Sequence, residues 1–361
     1  MNKIILLLIA FLSFNSGLVA KMKIKPFVKS NEELKIKDLS PKNLAGEYFM
    51  ETHIFYGTFD DGGSLWLKFK NQRIPLLVDN LLEIGLRLNI KDQRAIDISQ
   101  KFEKNQWSLG KGFEIKAANN LLSGKKGLIK AKINNGTENV DCRFTPIIKP
   151  WQPGDGKLFY GSEDSIFLTQ LIPKFGFSCK YDGKEHSGKG WMIHTRTNIT
   201  PHNMAQGWVS FEKFSDDEFL FFRYFKIPVG STLSQSKRKS ICYGFLTKGD
   251  KMVFSSFNFK SKFASPFKHK KNKNRFRPPQ KLDFFAKHKG EKFRFRMNAS
   301  DLMYSKSTIE NLPWIARVVV AKFADPYKYR FKGKYKWEYA NPISPKSSAT
   351  GKGEFSVDSI K

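Results

Sequence analysis

Short apolar runs, closed by glycine, asparagine, aspartate or proline, follow one another along most of the chain. This pattern constrains the fold more than any single motif. Glu47–Phe59 (EYFMETHIFYGTF) is aromatic and β-branched. Asp60–Asp61–Gly62–Gly63 then supplies a hairpin turn, and Ser64–Lys70 (SLWLKFK) alternates apolar and polar as a return strand does. Leu86–Ile90, Ile96–Ser99, Gln106–Leu109, Phe113–Ala117, Leu128–Ile133 and Val140–Pro146 continue the series. Against them stands one weak helical stripe around Leu76–Leu86, where Asp79 and Asn80 could cap a helix. Aromatic residues favour strands, and the chain holds 34 Phe. The expected fold is all-β, built as two antiparallel barrels or sandwiches in tandem.

Two domains follow from the length of 361 residues. Pro146, Pro150, Pro153, Gly154 and Gly156 fall in one short stretch that cannot lie inside a sheet, and the junction is placed in or just after it. The domains so drawn are 39–166 and 167–361. In the second, Phe167–Tyr181 is strand-like, and Phe219–Lys226 (FLFFRYFK) is apolar on both faces. Ile241–Leu246 and Met252–Phe257 form a hairpin, Lys292–Met297 alternates, and Pro313–Lys322 is apolar and β-branched. Tyr327–Tyr339 alternates aromatic and basic residues about Gly333 and reads as a hairpin. Its outward Lys and Arg would discourage edge aggregation. Gly353–Ile360 closes the barrel.

Residues 1–20 combine a short basic end, an apolar middle and a small residue at Ala20. They read as a secretory signal peptide, or as an N-terminal anchor. The formal charge of +30 favours anionic partners. Ser261–Lys281 concentrates it: Lys268, Lys270, Lys271, Lys273, Arg275 and Arg277 have no compensating acid, and phenylalanines lie among them. The plain reading is a solvated loop. The sharper one is contact with an anionic membrane surface. No recognition helix, RNP motif or zinc finger supports nucleic-acid binding. Cys142, Cys179 and Cys242 form no disulfide framework and no C-x-x-C, which leaves room for one bridge and one free thiol.

No nucleophile elbow, zinc-protease helix, phosphate loop or dinucleotide fingerprint occurs. His186, His194 and His202 are evenly spaced, but the first two would lie roughly 27 Å apart on an extended strand, so neither metal nor cofactor is expected. Acid–base work by His194 or His202 would need a carboxylate, and Glu185, Glu212 and Asp164 are the nearest in sequence. The residues immediately around His194 are Lys189, Thr195, Arg196 and Asn198, which argues against an enzyme. His53 has the same ambiguity inside its aromatic strand.

One ordered set is specific. It comprises Gly188–x–Gly190, His194, Pro201–His202, Ala205, Trp208, Phe211 and Gly230–Ser231–Thr232, with Glu51–Thr52–His53–Ile54–Phe55–Tyr56, Thr145–Pro146 and Gly154–Asp155–Gly156 upstream. In order and spacing this set resembles the survival factor 1 proteins, over most of the chain. Ile172 departs from it, standing where that family has tryptophan. The resemblance implies tandem lipocalin-like domains and a non-enzymatic lipid-binding or lipid-transfer protein. The implied ligand is ceramide or a related sphingolipid, and the implied setting is the response to oxidative stress. It also implies a cytoplasmic protein peripheral on ER or Golgi membranes, where the N-terminus instead points to the secretory pathway. The ligand would meet His194, His202, Trp191, Trp208, Phe211 and Tyr56. More distant lipocalin-like relatives include carotenoid hydratases and tocopherol cyclases, so an enzyme acting on an isoprenoid or lipid is the alternative. A ligand-free scaffold is the third possibility.

Overall fold

A computed structural model describes residues 22–30, 32–75, 78–234, 238–268, 276–288, 290–310, 314, 317, 326–343 and 346–360. Residues 1–20 and Lys270, Lys271, Lys273 and Arg275 lie outside this set. So does most of Pro313–Lys322, of which Trp314 and Arg317 are helical. The chain forms two units, Phe27–Thr200 with Gly249–Lys251, and Pro201–Lys248 with Met252–Lys361 and the segment ending at Pro26. The expectation of an all-β, lipocalin-like tandem holds.

In the first unit the strands run, in spatial order, Ile96–Phe102, Val78–Asn89, Ser64–Ile74, Phe49–Phe59, Lys184–Thr197, Ser162–Tyr181, Asn139–Ile148, Leu128–Asn134, Asn120–Lys125, Phe113–Ala117 and Trp107–Leu109. All neighbouring pairs are antiparallel, and the sheet curls into a nearly closed barrel. Trp107 Nε1 donates to Asn80 O at 2.8 Å, across from one end of the sheet to the other. Two differences from the sequence reading have physical reasons. The stripe at Leu76–Leu86 is the strand Val78–Asn89, because Leu82, Ile84, Leu86 and Leu88 repeat every second residue and are all buried. The first unit extends to Thr200 rather than 166, because Lys184–Thr197 pairs with Phe49–Phe59 and links it to Ser162–Tyr181. Long-range pairing of this kind leaves no local mark. Cys142 and Cys179 are cross-strand partners and form a disulfide, and Cys242 is free and buried.

Strand register decides what fills the barrel. Glu51, His53, Phe55, Gly57 and Phe59 share one face, opposite Arg196, His194, Met192, Gly190 and Gly188 in turn. The three glycines make room for rings. A Cβ on Gly57 would lie 2.6 Å from the Phe177 ring, and one on Gly190 would lie 2.8 Å from Phe175. Phe175 and Phe177 pack with Phe55, Phe59 and Phe144 into an aromatic interior. Each such side chain contributes roughly 1.5–3 kcal/mol on burial.

The second unit's sheet runs Lys251–Ser256, Ser240–Lys248, Glu218–Lys226, Gly207–Phe214, Ser347–Ser359, Tyr327–Ala340, Glu291–Ser307, Pro279–His288 and Lys260–Pro266. Its core is again aromatic, with Phe222 stacked against Phe284, Phe293 and Phe295. Gly333 is not a hairpin turn. Tyr327–Ala340 is one continuous strand, paired on both sides, and a Cβ at Gly333 would meet Asn298 O at 2.2 Å beside a bulge. The basic loop is also shorter than Ser261–Lys281. Lys260–Pro266 and Pro279–His288 are paired strands, and Phe263 and Phe276 pack inward against Tyr224.

Candidate functional site

Polar side chains occupy one end of the first barrel. Glu51 and His53 stand two residues apart on one strand, and His194 and Arg196 two apart on its neighbour. The registers Glu51↔Arg196, His53↔His194 and Gln170↔His194 bring all five residues together. They are buried, with His194 fully so and Arg196 at 5% exposure. The segment after the 3-10 turn Ile36–Leu39 closes over them. Leu39 and Ser40 supply carbonyls, and the Lys42 amide donates to Glu51 Oε2 at 3.0 Å. Asn71 Nδ2 donates to Asn43 Oδ1, and Arg73 to Leu44 O, along the same edge.

Hydrogen-bond geometry locates the protons. His194 Nδ1 lies 2.9 Å from Gln170 Oε1, and its Nε2 lies 2.8 Å from Glu51 Oε1. Gln170 is oriented in turn by donating its amide to Gln152 Oε1 at 3.0 Å. Two acceptor oxygens therefore face the two ring nitrogens, and a neutral ring carries one hydrogen. With Nδ1–H donating to Gln170, a proton must sit between Nε2 and Glu51. Burial, with Arg196 beside it, holds the ring far below the usual histidine range. Burial also raises the Glu51 carboxyl. Both directions favour the neutral acid, with Glu51 donating to Nε2. Arg196, with Nη1 3.4 Å from Glu51 Oε1, and the Lys42 amide pull the carboxyl the other way, but burial outweighs them. His53 donates Nε2–H to Leu39 O at 2.9 Å, and burial lowers its pKa to about 3. Its Nδ1 lone pair is buried without a hydrogen-bond partner.

Glu51, His53 and His194 also place potential ligand atoms within 4.8 Å of one another. The rings argue against a shared metal. Their centroids are 4.1 Å apart with planes only 8° from parallel. An imidazole binds a metal in its own plane, and two stacked planes share no point at bonding distance. A guanidinium beside the same carboxylate opposes a divalent cation further. The arrangement suits proton transfer.

The residues expected to meet a ligand do not form one site. Tyr56 and Trp191 stack at 4.4 Å, but on the strand face opposite His194. His202 lies in the helical turn Pro201–Met204 of the second unit. Trp208 sits beside Phe225 on that unit's Gly207–Phe214 strand, and Phe211 is fully buried in its aromatic core against Phe295. Lys268 and Arg277 are exposed. Glu51, Gln170 and Arg196 were missed as site residues. The carboxylate beside His194 is none of Glu185, Glu212 or Asp164, but lies 143 positions away in sequence. A local signal did exist: Glu51 and His53, like His194 and Arg196, are polar pairs at strand spacing inside apolar runs.

No protein-family model and no curated protein matches the sequence. Solved structures do. An AttH-named protein from Nitrosomonas europaea is similar over 93% of this chain and 99% of its own, at 10% identity and a TM-score of 0.50. Kievitone hydratase from Nectria haematococca is similar over 94% and 98%, at 11% identity and 0.47. CghA is similar over 94% and 99%, at 8% identity and 0.48. The likeness to the first is one of fold, a tandem of two lipocalin-like β units.

Proposed function

We propose that the first barrel performs acid–base chemistry on an apolar, unsaturated substrate, an isoprenoid or lipid, in the manner of a hydratase or cyclase. The observation that carries this is the buried contact between Glu51 Oε1 and His194 Nε2 at 2.8 Å. It meets the condition that a carboxylate stand against the histidine, and it favours the neutral acid. In the forward step the Glu51 O–H bond breaks and its proton goes to one carbon of a C=C bond. The other carbon becomes a cation and Glu51 a carboxylate. Hydration adds water at that cation, and the oxonium proton passes to His53 Nδ1 or back to Glu51. A base with a pKa of about 3 suffices for a proton that acidic. In a cyclisation a second C=C bond attacks the cation instead.

The test is incubation of the full chain with unsaturated isoprenoids and lipids in H2(18)O, followed by mass spectrometry of the products. Labelled alcohol or a cyclised isomer is expected. Glu51→Gln should lose about 10²–10⁴-fold in rate while keeping its fold. Absence of any product, or an undiminished rate in Glu51→Gln, overturns the reading.

A lipid-carrier function of the survival factor 1 kind, with ceramide as cargo, is the second reading. It would require a lipid chain to displace the rings around Phe55, Phe144 and Phe175 that fill the barrel. Ceramide co-purifying with the protein, unchanged on incubation, would support it over the enzyme. The disulfide Cys142–Cys179 supports a location in the secretory pathway over the cytoplasm.

A further inference from the structure

The exposed cations of the Tyr327–Ala340 strand have lost their simplest explanation. Lys328, Arg330, Lys332, Lys334 and Lys336 project outward in succession. Protection of a sheet edge would account for them, but this strand is interior, bonded to Glu291–Ser307 on one side and Ser347–Ser359 on the other. Some of the charge is matched within the sheet. Arg330 pairs with Glu354 at 2.8 Å, and Glu338 serves Arg296, Lys336 and Lys346 together. Lys334 and Lys352 are different. They are direct cross-strand partners, and among the described residues no carboxylate lies within ion-pair distance of either. Like charges directly opposite each other are unfavourable in a sheet.

The two lysines stand at a cleft of about 450 Å³ whose polar lining is Arg296, Asn298, Lys334, Lys336, Thr350 and Lys352. Its floor is the sheet itself at Tyr335 and Gly351, whose ring and missing side chain lie on the opposite, core face, where Tyr335 packs on Phe211 and Phe295. The lining contributes ammonium and guanidinium groups, one amide and one hydroxyl, and no carboxylate. That is donor chemistry converging on a compact space, suited to a small anion with several oxygens.

We propose that this cleft binds a phosphate monoester, free or as the headgroup of a lipid, with Lys334 and Lys352 as its principal contacts. The size of the cleft favours a compact headgroup over an extended polyanion. The site belongs to the second unit and is independent of the Glu51–His194 chemistry.

The full chain is tested two ways. Calorimetry reads glycerol 3-phosphate, and flotation reads phosphatidylcholine vesicles with and without phosphatidic acid. Lys334→Gln/Lys352→Gln should weaken phosphate binding by at least about tenfold. A control with the same charge change in the first unit, Lys125→Gln/Lys130→Gln, should shift it less than about twofold, because neither lysine lines the cleft. The thermal midpoint of Lys334→Gln/Lys352→Gln should not fall, since a like-charge pair is removed. Binding to phosphatidic acid alone assigns a lipid headgroup, and binding to glycerol 3-phosphate alone assigns a soluble ester. Binding of neither overturns the site. So does an equal loss in both double variants, which would reduce the effect to the net charge of +30.

Discussion

Lowering the pH should unfold this protein partly through His53. Its folded pKa is about 3 and burial is the main cause, whereas in the unfolded chain it returns to 6.5. A histidine with a depressed folded pKa stabilises fully above 6.5, and the stability is lost as pH falls from 6.5 towards 3. At pH 5 the unfolded ring is largely protonated and the folded ring is not, a gap of about 1.5 pH units or about 2 kcal/mol. His194 shifts the same way. Glu51 acts oppositely: its raised carboxyl keeps a proton that the unfolded chain releases, which stabilises at low pH and fades as pH rises through its folded pKa. Glu51 therefore masks part of the wild-type slope, and comparison with His53→Gln isolates the histidine. Urea unfolding followed by tryptophan fluorescence at pH 5, 6 and 7.5 is the assay. The stability advantage of wild type over His53→Gln should shrink by about 2 kcal/mol between pH 7.5 and 5. Parallel curves for the two proteins would refute a neutral buried His53.

Glu51→Gln distinguishes an acid from an ion pair. An amide can donate to His194 Nε2 as the neutral acid does, so urea unfolding at pH 7 should show a cost under about 1 kcal/mol. A loss of about 3–5 kcal/mol would mean that a charged Glu51–Arg196 pair had been broken. Gly190→Ala puts a Cβ 2.0 Å from Tyr56 O and 2.8 Å from Phe175, and should lower stability by about 1–3 kcal/mol or more in the same assay. Cys142→Ala/Cys179→Ala opens a loop with a separation of 37 residues and should cost about 4 kcal/mol. Stability unchanged from that of wild type would deny the bond a structural role.

Features with a local period were legible in the sequence, and features made by pairing were not. The alternation at Ser64–Lys70 and the turn at Asp60–Gly63 identify a hairpin that the structure contains. Gly188 and Gly190 stand out as a glycine pair in the sequence, and in the structure they leave room for the Phe177 and Phe175 rings. Val78–Asn89 was ambiguous because a run of leucines matches two periods over a short window. The polar pairs had a local signal, but the contact between them did not. Nothing near His194 announces Glu51, since the register between Phe49–Phe59 and Lys184–Thr197 alone makes them neighbours. The residues flanking His194 in sequence then misled. Thr195 points to the opposite face, while Arg196 joins the cluster and contacts the carboxylate that seemed absent.

The packing of the first barrel also limits how a substrate could meet Glu51. Phe175 and Phe177 take the space that Gly57, Gly188 and Gly190 leave, so the apolar middle of the barrel is occupied by the protein's own rings. The polar end is closed differently. Its cover, from Leu39 to Leu44, is fastened by single hydrogen bonds to the site residues themselves and to Asn71 and Arg73. Each such bond contributes only about 1 kcal/mol net, whereas displacing a buried phenylalanine costs about 3–5 kcal/mol. Leu39, at the start of this segment, is itself fully buried in the core, so the hydrogen-bonded part around Lys42 is the cheaper point of entry. Entry there also has a chemical consequence. Lifting Lys42 removes the donor to Glu51 Oε2, which makes the carboxylate harder to form. A substrate that reaches the pair by this route thus meets Glu51 as a stronger hold on its proton, until the segment returns and the Lys42 amide favours its release.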